Sequence, residues 1–182
     1  MDRNIVVVEN FISPEDAQSI IDEINSPSEI NPYPDHYSKR NGGTALPYNK
    51  KVVDLLKKYG DKSNAMHKEI NNYPGDIYVT KGYSSKWVIG SYGEPHIDDI
   101  DLETFIEWSS VIYLNEPPQF EGGEIYFPQK DFRYTPVKFS AVFFPQKDKS
   151  YIHGITEVTA GIRYTLLFHH SSDIQFADPD LI

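Results

Sequence analysis

The chain contains no cysteine among its 182 residues. This absence excludes disulfide bonds, zinc fingers and thiol catalysis, and it fits a reducing compartment. Long hydrophobic runs are missing too. The N-terminal apolar run, Ile5 to Val8, has only four residues, too few for the core of a signal peptide. Because no other stretch is long enough to cross a membrane, we expect a soluble, cytoplasmic protein with no membrane partner.

Basic residues are in the minority. The chain has 17 Lys and Arg against 27 Asp and Glu, which gives a formal net charge of −10. A field of this sign repels phosphate backbones, so we expect no nucleic-acid partner. The candidates for a local basic patch are Lys50, Lys51, Lys57 and Lys58. Lysines on the polar face of a helix are usually only solvated.

The composition favours one β-rich globular domain. Hydrophobic residues make up 39% of the chain and aromatic residues 14%, which is typical of a folded protein with a real core. We expect a single domain over residues 1–182, with a helical N-terminal part at about 12–72 and a β core at about 75–170. The sequence does not indicate the oligomeric state.

The N-terminal part carries clear helix signals. "NIVVVENF" predicts a first strand, and Ser13 and Pro14 then provide an N-cap and a first helical residue for a helix over 14–25. A second helix is predicted over 49–59, with Gly60 ending it and a further helix possible over 61–71. Residues 26–47 contain four prolines and a Gly-Gly pair. They are expected to form a long loop, and its part 31–47 is a candidate lid that would set specificity.

From about residue 75 the pattern changes to short strands separated by turn residues. Six to eight strands at this spacing predict a sandwich or jelly roll. The predicted strand segments are "DIYVTKGY", "KWVIGSY", "EWSSVIYLN", "GGEIYFPQ", "VKFSAVFFP", "SYIHGITEV" and "GIRYTLLFHH".

The stretch "EPHIDDID" places His96 one residue away from Asp98. If residues 94–99 are extended, alternation puts both side chains on one face, with Asp99 pointing away. Taken alone, an H-x-D pair is as easily a charged surface loop as a metal clamp.

Two downstream residues change this interpretation. His153 lies inside an apolar strand pattern, where a histidine is either a satisfied core residue or a ligand. Two histidines and one carboxylate, with coordination positions left open, form the facial triad of non-haem Fe(II) oxygenases. Arg163, in "GIRYTLLF", is costly to bury unless it pairs with a protein acid or binds a carboxylate ligand.

With these residues in place, the sequence resembles the 2-oxoglutarate and Fe(II)-dependent dioxygenases, most closely the prolyl 4-hydroxylase-like branch. The matching pattern is His96-Ile97-Asp98, then His153, then Arg163 ten residues later. Flanking text is similar too, namely "VVVENFISPEDAQSII", "SSVIYLNEPPQFEGGEIYFPQ" and "VKFSAVFFPQ…YIHGITEVTAGIRYTLLF". In its Cys-free, Asn- and Tyr-rich character the chain also resembles oxygenases encoded by marine phages.

The resemblance implies a mainly β protein with flanking helices: a double-stranded β-helix, or jelly-roll, core with N-terminal helices packed on one sheet. It implies Fe(II) bound by His96, Asp98 and His153, and 2-oxoglutarate held at its far carboxylate by Arg163. O2 would be the oxidant and ascorbate the reductant, and a substrate C–H bond would be hydroxylated with succinate and CO2 as co-products. Three further residues are candidates for the 2-oxoglutarate pocket: Tyr113, Thr165 and Tyr92.

The substrate stays open at this level. A peptidyl proline is the first expectation, with a proline-containing peptide or protein as partner; another amino acid or a small molecule is the close variant. Arg163 departs from collagen-type prolyl hydroxylases, which usually carry lysine there, and matches the oxygen-sensing ones. The other classes are a non-catalytic jelly-roll binding protein and a zinc hydrolase on the same three ligands. Trp87 and Tyr92 are each expected to line the pocket or the substrate channel, or to be barrel aromatics. The other histidines are expected to lie at the surface or at strand ends; they are His36, His67, His169 and His170.

Overall fold

The first helix begins at the capping residues predicted from the sequence, Ser13 and Pro14. In this computed structural model, which describes residues 4–25, 50–98, 105–137 and 139–181, the Ser13 Oγ accepts a hydrogen bond from the Asp16 backbone N–H at 3.2 Å. The helix runs over Pro14–Asn25, as predicted, and buries Ala17, Ile20 and Ile24.

The described residues form two α-helices, two short 3-10 helices (Lys149–Tyr151 and Ile174–Phe176) and ten strands. The α-helices are α1 (Pro14–Asn25) and α2 (Lys50–Asn71), and the strands are β1 (Val6–Val8), β2 (Tyr78–Val88), β3 (Gly93–His96), β4 (Trp108–Tyr113), β5 (Phe120–Gly122), β6 (Ile125–Phe127), β7 (Phe132–Tyr134), β8 (Ala141–Pro145), β9 (His153–Ile155) and β10 (Val158–Ser171).

These strands make two antiparallel sheets. The major sheet has the order β1-β8-β4-β10-β2, with β5 on the first residues of β10, and the minor sheet has the order β3-β9-β6-β7. One apolar cluster lies between the two sheets, and a second lies between the major sheet and the helices. The mainly β class with N-terminal helices on one sheet is thereby confirmed. The single-domain boundaries stay a prediction, and the expected loop over 26–47, with His36, lies outside the described residues.

Two expected breaks are absent. Gly60 does not end a helix, because α2 continues through it to Asn71. Its missing side chain has a packing reason: a Cβ there would lie 2.9 Å from Val79 Cγ2 on the neighbouring strand. The two segments "DIYVTKGY" and "KWVIGSY" are likewise joined, since β2 runs unbroken past Ser84 and Ser85. Both serines are buried inside the strand, so this polar pair does not mark a turn.

None of the described helices has the length and apolar character needed to cross a membrane.

One histidine expected at the surface is instead buried beneath α2. His67 is 1% exposed and lies 4.6 Å, between ring centroids, from the fully buried His170. The ring is enclosed because α2 presents it to the major sheet, where it meets Trp108 and Phe143. Burial lowers the pKa of His67 to about 3, and burial together with the neighbouring histidines holds the pKa of His170 well below its ordinary value. Both imidazoles are therefore neutral in the folded protein at neutral pH.

We expect this burial to make the protein less stable in mild acid. Below a pH of about 6.5 the unfolded chain protonates His67 while the folded chain does not, so the free energy of unfolding falls as the pH falls toward 4. The loss is about 2 kcal/mol for such a histidine at about pH 5. Urea unfolding at about pH 7 and about pH 5 measures it. The aromatic variant His67→Phe should lose that share of the pH dependence, and an identical pH dependence in both proteins would contradict the assignment.

Candidate metal centre and co-substrate pocket

The three predicted ligands converge at one end of the space between the sheets. His96 ends β3 and His153 begins β9, and these two residues are paired partners in the minor sheet. Asp98 follows two residues after His96. The His96 Nε2 lies 3.3 Å from the Asp98 Oδ1, and the His153 Nε2 lies 3.8 Å from the same oxygen. One ligand atom from each residue lies within 4.8 Å of the others, which is a spacing that a single metal ion can bridge.

Both histidines are oriented by their second ring nitrogen. The His96 Nδ1 is 2.8 Å from the backbone carbonyl oxygen of Glu94, and the His153 Nδ1 is 3.2 Å from that of Tyr151. A carbonyl only accepts, so each Nδ1 carries a hydrogen, and in the neutral form of each ring the Nε2 presents a lone pair to the shared space. This is the usual second-shell arrangement of metal-binding histidines.

The ionisation states of Asp98 and His153 suit a metal site. Burial would raise the pKa of the Asp98 carboxyl, but nearby His153, His96 and His169 outweigh it and hold that pKa below its usual range. Burial lowers the pKa of His153 to about 4, so its imidazole is neutral. Burial also acts to lower the pKa of half-buried His96, but its contacts with Asp98 outweigh this and raise it. Metals bind carboxylates and neutral imidazoles, so Asp98 and His153 already have the binding form, whereas a metal has to replace the proton that Asp98 favours on His96.

Strand alternation was expected to place the Asp98 side chain beside His96, but the strand does not extend to Asp98. Because β3 ends at His96, Asp98 lies outside the ladder, and side chains of the major sheet fix it instead. Its Oδ2 accepts hydrogen bonds from the Ser109 Oγ at 2.7 Å and from the Gln146 Nε2 at 2.6 Å. His169, which carried no motif, lies 3.0 Å from the Ser109 Oγ through its Nδ1. The only sequence signal for Ser109, Gln146 and His169 was that they are polar residues in or next to apolar strand segments. Asp99 lies outside the described residues.

Arg163 is buried without an acidic partner among the described residues. It is 1% exposed, and its Nε and Nη2 atoms make no hydrogen bond. The guanidinium carbon lies 5.3 Å from the ring centroid of Trp87 and 5.1 Å from that of Tyr113. Burial lowers the pKa of Arg163, yet an arginine stays charged in proteins. A buried, charged guanidinium with two nitrogens that make no hydrogen bond indicates a place for an anion.

Two of the other pocket candidates lie beside Arg163. Thr165 is 2% exposed on the same strand and is paired with Tyr113 across the ladder. The Tyr113 hydroxyl is buried without a hydrogen-bond partner, and burial raises its pKa although the charge of Arg163 partly opposes this. Tyr92 lies elsewhere: its side chain is 39% exposed and lines an open groove with Tyr126 and other residues of the minor sheet. We therefore leave Tyr92 out of the co-substrate pocket.

The metal cluster and Arg163 border the same apolar cluster between the sheets. His153 packs against Phe127 and Phe144, and Arg163 packs against Trp87 and Tyr113; all four aromatic residues belong to that cluster. Two histidines and a carboxylate on an antiparallel double sheet match the facial triad of the non-haem Fe(II) oxygenases.

The comparisons agree with this class. Residues 84–169 match the family model described as the 2OG-Fe(II) oxygenase superfamily, a range that contains the three ligand candidates and Arg163. No curated protein matches the sequence. The family match and the shared fold bear out the resemblance to the 2-oxoglutarate and Fe(II)-dependent oxygenases seen in the sequence.

Solved structures share the fold at low identity. The viral collagen prolyl hydroxylase of Paramecium Bursaria Chlorella virus-1, in complex with 2OG, is 15% identical, with a TM-score of 0.73 over 92% of this chain and 95% of that one. A Pseudomonas putida prolyl-4-hydroxylase is 17% identical, with a TM-score of 0.67 over 92% of both chains. A prolyl hydroxylase in complex with a hypoxia inducible factor peptide fragment, from Trichoplax adhaerens, is 13% identical, with a TM-score of 0.64 over 94% of this chain and 84% of that one. The phage origin stays a prediction.

Proposed function

We propose that this protein is an Fe(II)- and 2-oxoglutarate-dependent dioxygenase that hydroxylates a C–H bond of a peptidyl proline. The observation that carries the proposal is the pair of sites along one apolar cluster: a triad of His96, Asp98 and His153, and the unsatisfied guanidinium of Arg163. A metal ion and a carboxylate-bearing co-substrate would each complete one of them.

The residues of the triad fit ferrous iron. Two imidazole nitrogens and one carboxylate oxygen supply a mixed N and O ligand set on one side, which leaves positions open for co-substrates. When bound, Fe(II) supplies the activation of O2 that couples oxidative decarboxylation of 2-oxoglutarate to hydroxylation. The protein contributes the orientation of the histidines by the carbonyls of Glu94 and Tyr151.

The residues around Arg163 fit the far carboxylate of 2-oxoglutarate. The guanidinium would donate charge-assisted hydrogen bonds to it, and the buried hydroxyl of Tyr113 would donate another. Thr165 would complete the polar wall beside them. The rings of Trp87 and Tyr113 exclude water from the guanidinium, which strengthens its attraction for an anion.

The choice of substrate rests on the structural neighbours. Those neighbours include two prolyl hydroxylases and one prolyl hydroxylase in complex with a peptide fragment. We infer a proline-containing peptide or protein as substrate, with succinate and CO2 as co-products and ascorbate as the reductant that maintains Fe(II). The same chemistry on another amino acid or on a small molecule is the alternative.

The test is succinate formation from 2-oxoglutarate with Fe(II), O2 and ascorbate, with and without a proline-rich peptide. Stimulation by the peptide, together with the gain of one oxygen atom on proline by mass spectrometry, is the expected result. Succinate without stimulation would reject the proline substrate and keep the oxygenase. No succinate from a metal-loaded protein would reject the proposed activity and favour a binding role.

Gly123 offers a test of the Arg163 pocket that changes no polar group. Its φ is +64°, and an added Cβ would lie 2.7 Å from the Arg163 Cδ. Gly123→Ala should therefore displace the arginine and raise the 2-oxoglutarate concentration needed for half-maximal rate. Gly90→Ala is the matched control, because Gly90 has a φ of +84° with no atom within 4 Å of its Cβ. Both variants should lose about 1–2 kcal/mol of stability. An equal 2-oxoglutarate requirement in the two variants would contradict the pocket.

A further inference from the structure

Asp98 is held by two residues in or next to the major sheet, Gln146 and Ser109, which together we call the clamp. It lies past the end of β3, so no ladder hydrogen bond fixes its backbone. Gln146, fully buried just after β8, makes two contacts with it: its Oε1 accepts from the Asp98 backbone N–H at 3.0 Å, and its Nε2 donates to Oδ2 at 2.6 Å. One amide thus fixes both the main chain and the side chain of the candidate ligand.

Ser109 makes the second half of the clamp. Its Oγ, fully buried on β4, lies 2.7 Å from the Asp98 Oδ2 and 3.0 Å from the His169 Nδ1. The two oxygens of the Asp98 carboxylate therefore have different partners. Its Oδ2 accepts from Ser109 and Gln146, while its Oδ1 faces the Nε2 atoms of the two histidines.

We propose that Gln146 and Ser109 are positioning residues that restrict Asp98 to binding the metal through Oδ1 alone. A carboxylate oxygen that already accepts two hydrogen bonds is a poorer ligand, since metal binding would have to displace those donors. A bidentate Asp98 would also occupy a coordination position that the co-substrates need. This inference rests on the proposed function for the existence of the metal, and it adds the residues that set how the metal is held.

The chain supplies a matched control for the test. Ser109 and Ser110 are adjacent on β4 and both fully buried, but they point to opposite faces of the sheet. The Ser110 Oγ contacts the His170 Nε2 at 3.0 Å, away from Asp98. Ser109→Ala and Ser110→Ala therefore each remove one buried serine hydroxyl from β4, but only Ser109→Ala removes a hydrogen-bond partner of Asp98.

The first measurement is the affinity for Mn(II), a stand-in for Fe(II) that is stable in air, from the electron paramagnetic resonance signal of the free ion. We expect about tenfold weaker binding in Ser109→Ala and up to about 100-fold weaker binding in Gln146→Met, with Ser110→Ala like the wild type. Thermal unfolding of the metal-free proteins shows whether each variant is folded. Should Gln146→Met not fold, the two serine variants decide.

The second measurement reads the binding mode itself. Infrared difference spectra between metal-loaded and metal-free protein give the separation of the antisymmetric and symmetric carboxylate stretches, which is smaller for a bidentate carboxylate. That separation should narrow in Ser109→Ala and not in Ser110→Ala. Equal metal affinities in both serine variants, or an unchanged separation in Ser109→Ala, would overturn the clamp. Absence of metal binding in the wild type would instead overturn the proposed function.

Discussion

Replacing His153 with alanine is expected to abolish metal binding and turnover while leaving a folded protein. His153 offers one of the three candidate ligand atoms, and its ring packs against Phe127 and Phe144. Loss of a second-shell partner typically lowers metal affinity 10- to 100-fold, and loss of a ligand itself should cost more. Mn(II) affinity and succinate formation measure the two effects.

A second buried histidine separates loss of the ligand from loss of packing. His170→Ala truncates a histidine that is also buried, but His170 contacts Asn64 and Ser110 on the helix-facing side of the major sheet. We expect both variants to lose stability by thermal unfolding because each leaves a cavity. Only His153→Ala should lose the metal. Normal turnover in His153→Ala, or an equal loss of turnover in His170→Ala, would argue against the triad.

The parts of the fold that local chemistry decides could be predicted from the sequence. The start of α1 follows from an N-cap at Ser13 and a proline at the first helical position, and neither depends on distant residues. The H-x-D spacing also carried real information, because His96 and Asp98 do meet around one space. Their reason for meeting was predicted wrongly, since strand alternation ends at His96.

The parts that depend on packing could not be predicted. A glycine inside a helical pattern usually indicates a break, but Gly60 serves the close approach of α2 to β2. The clamp on Asp98 joins residues 48 positions apart along the chain, so no local pattern pairs Gln146 with it. Tyr92 shows the same limit: the sequence left its ring to the pocket, the channel or the barrel, and the structure places it, 39% exposed, in an open groove with Tyr126.

Replacing Arg163 with alanine is expected to raise the 2-oxoglutarate concentration needed for half-maximal rate much more than it weakens metal binding. Two charge-assisted hydrogen bonds to a carboxylate, at about 1.5–3 kcal/mol each, predict an increase of roughly 100-fold or more. Metal affinity should change little, because Arg163 contacts Trp87 and Tyr113 rather than a ligand. Steady-state succinate formation and Mn(II) titration measure the two quantities on one preparation.

Two further variants define what the arginine does. Arg133→Ala removes a guanidinium whose side chain is 61% exposed and which pairs with Glu124 on the minor sheet, so its 2-oxoglutarate requirement should stay that of the wild type. Arg163→Lys keeps the charge but loses the planar fork, so it should recover only part of the loss. If Arg163→Ala instead weakens metal and 2-oxoglutarate binding equally, the arginine supports the whole core and does not act as a carboxylate clamp. Full recovery by lysine would show that the charge alone, without the fork, holds the co-substrate.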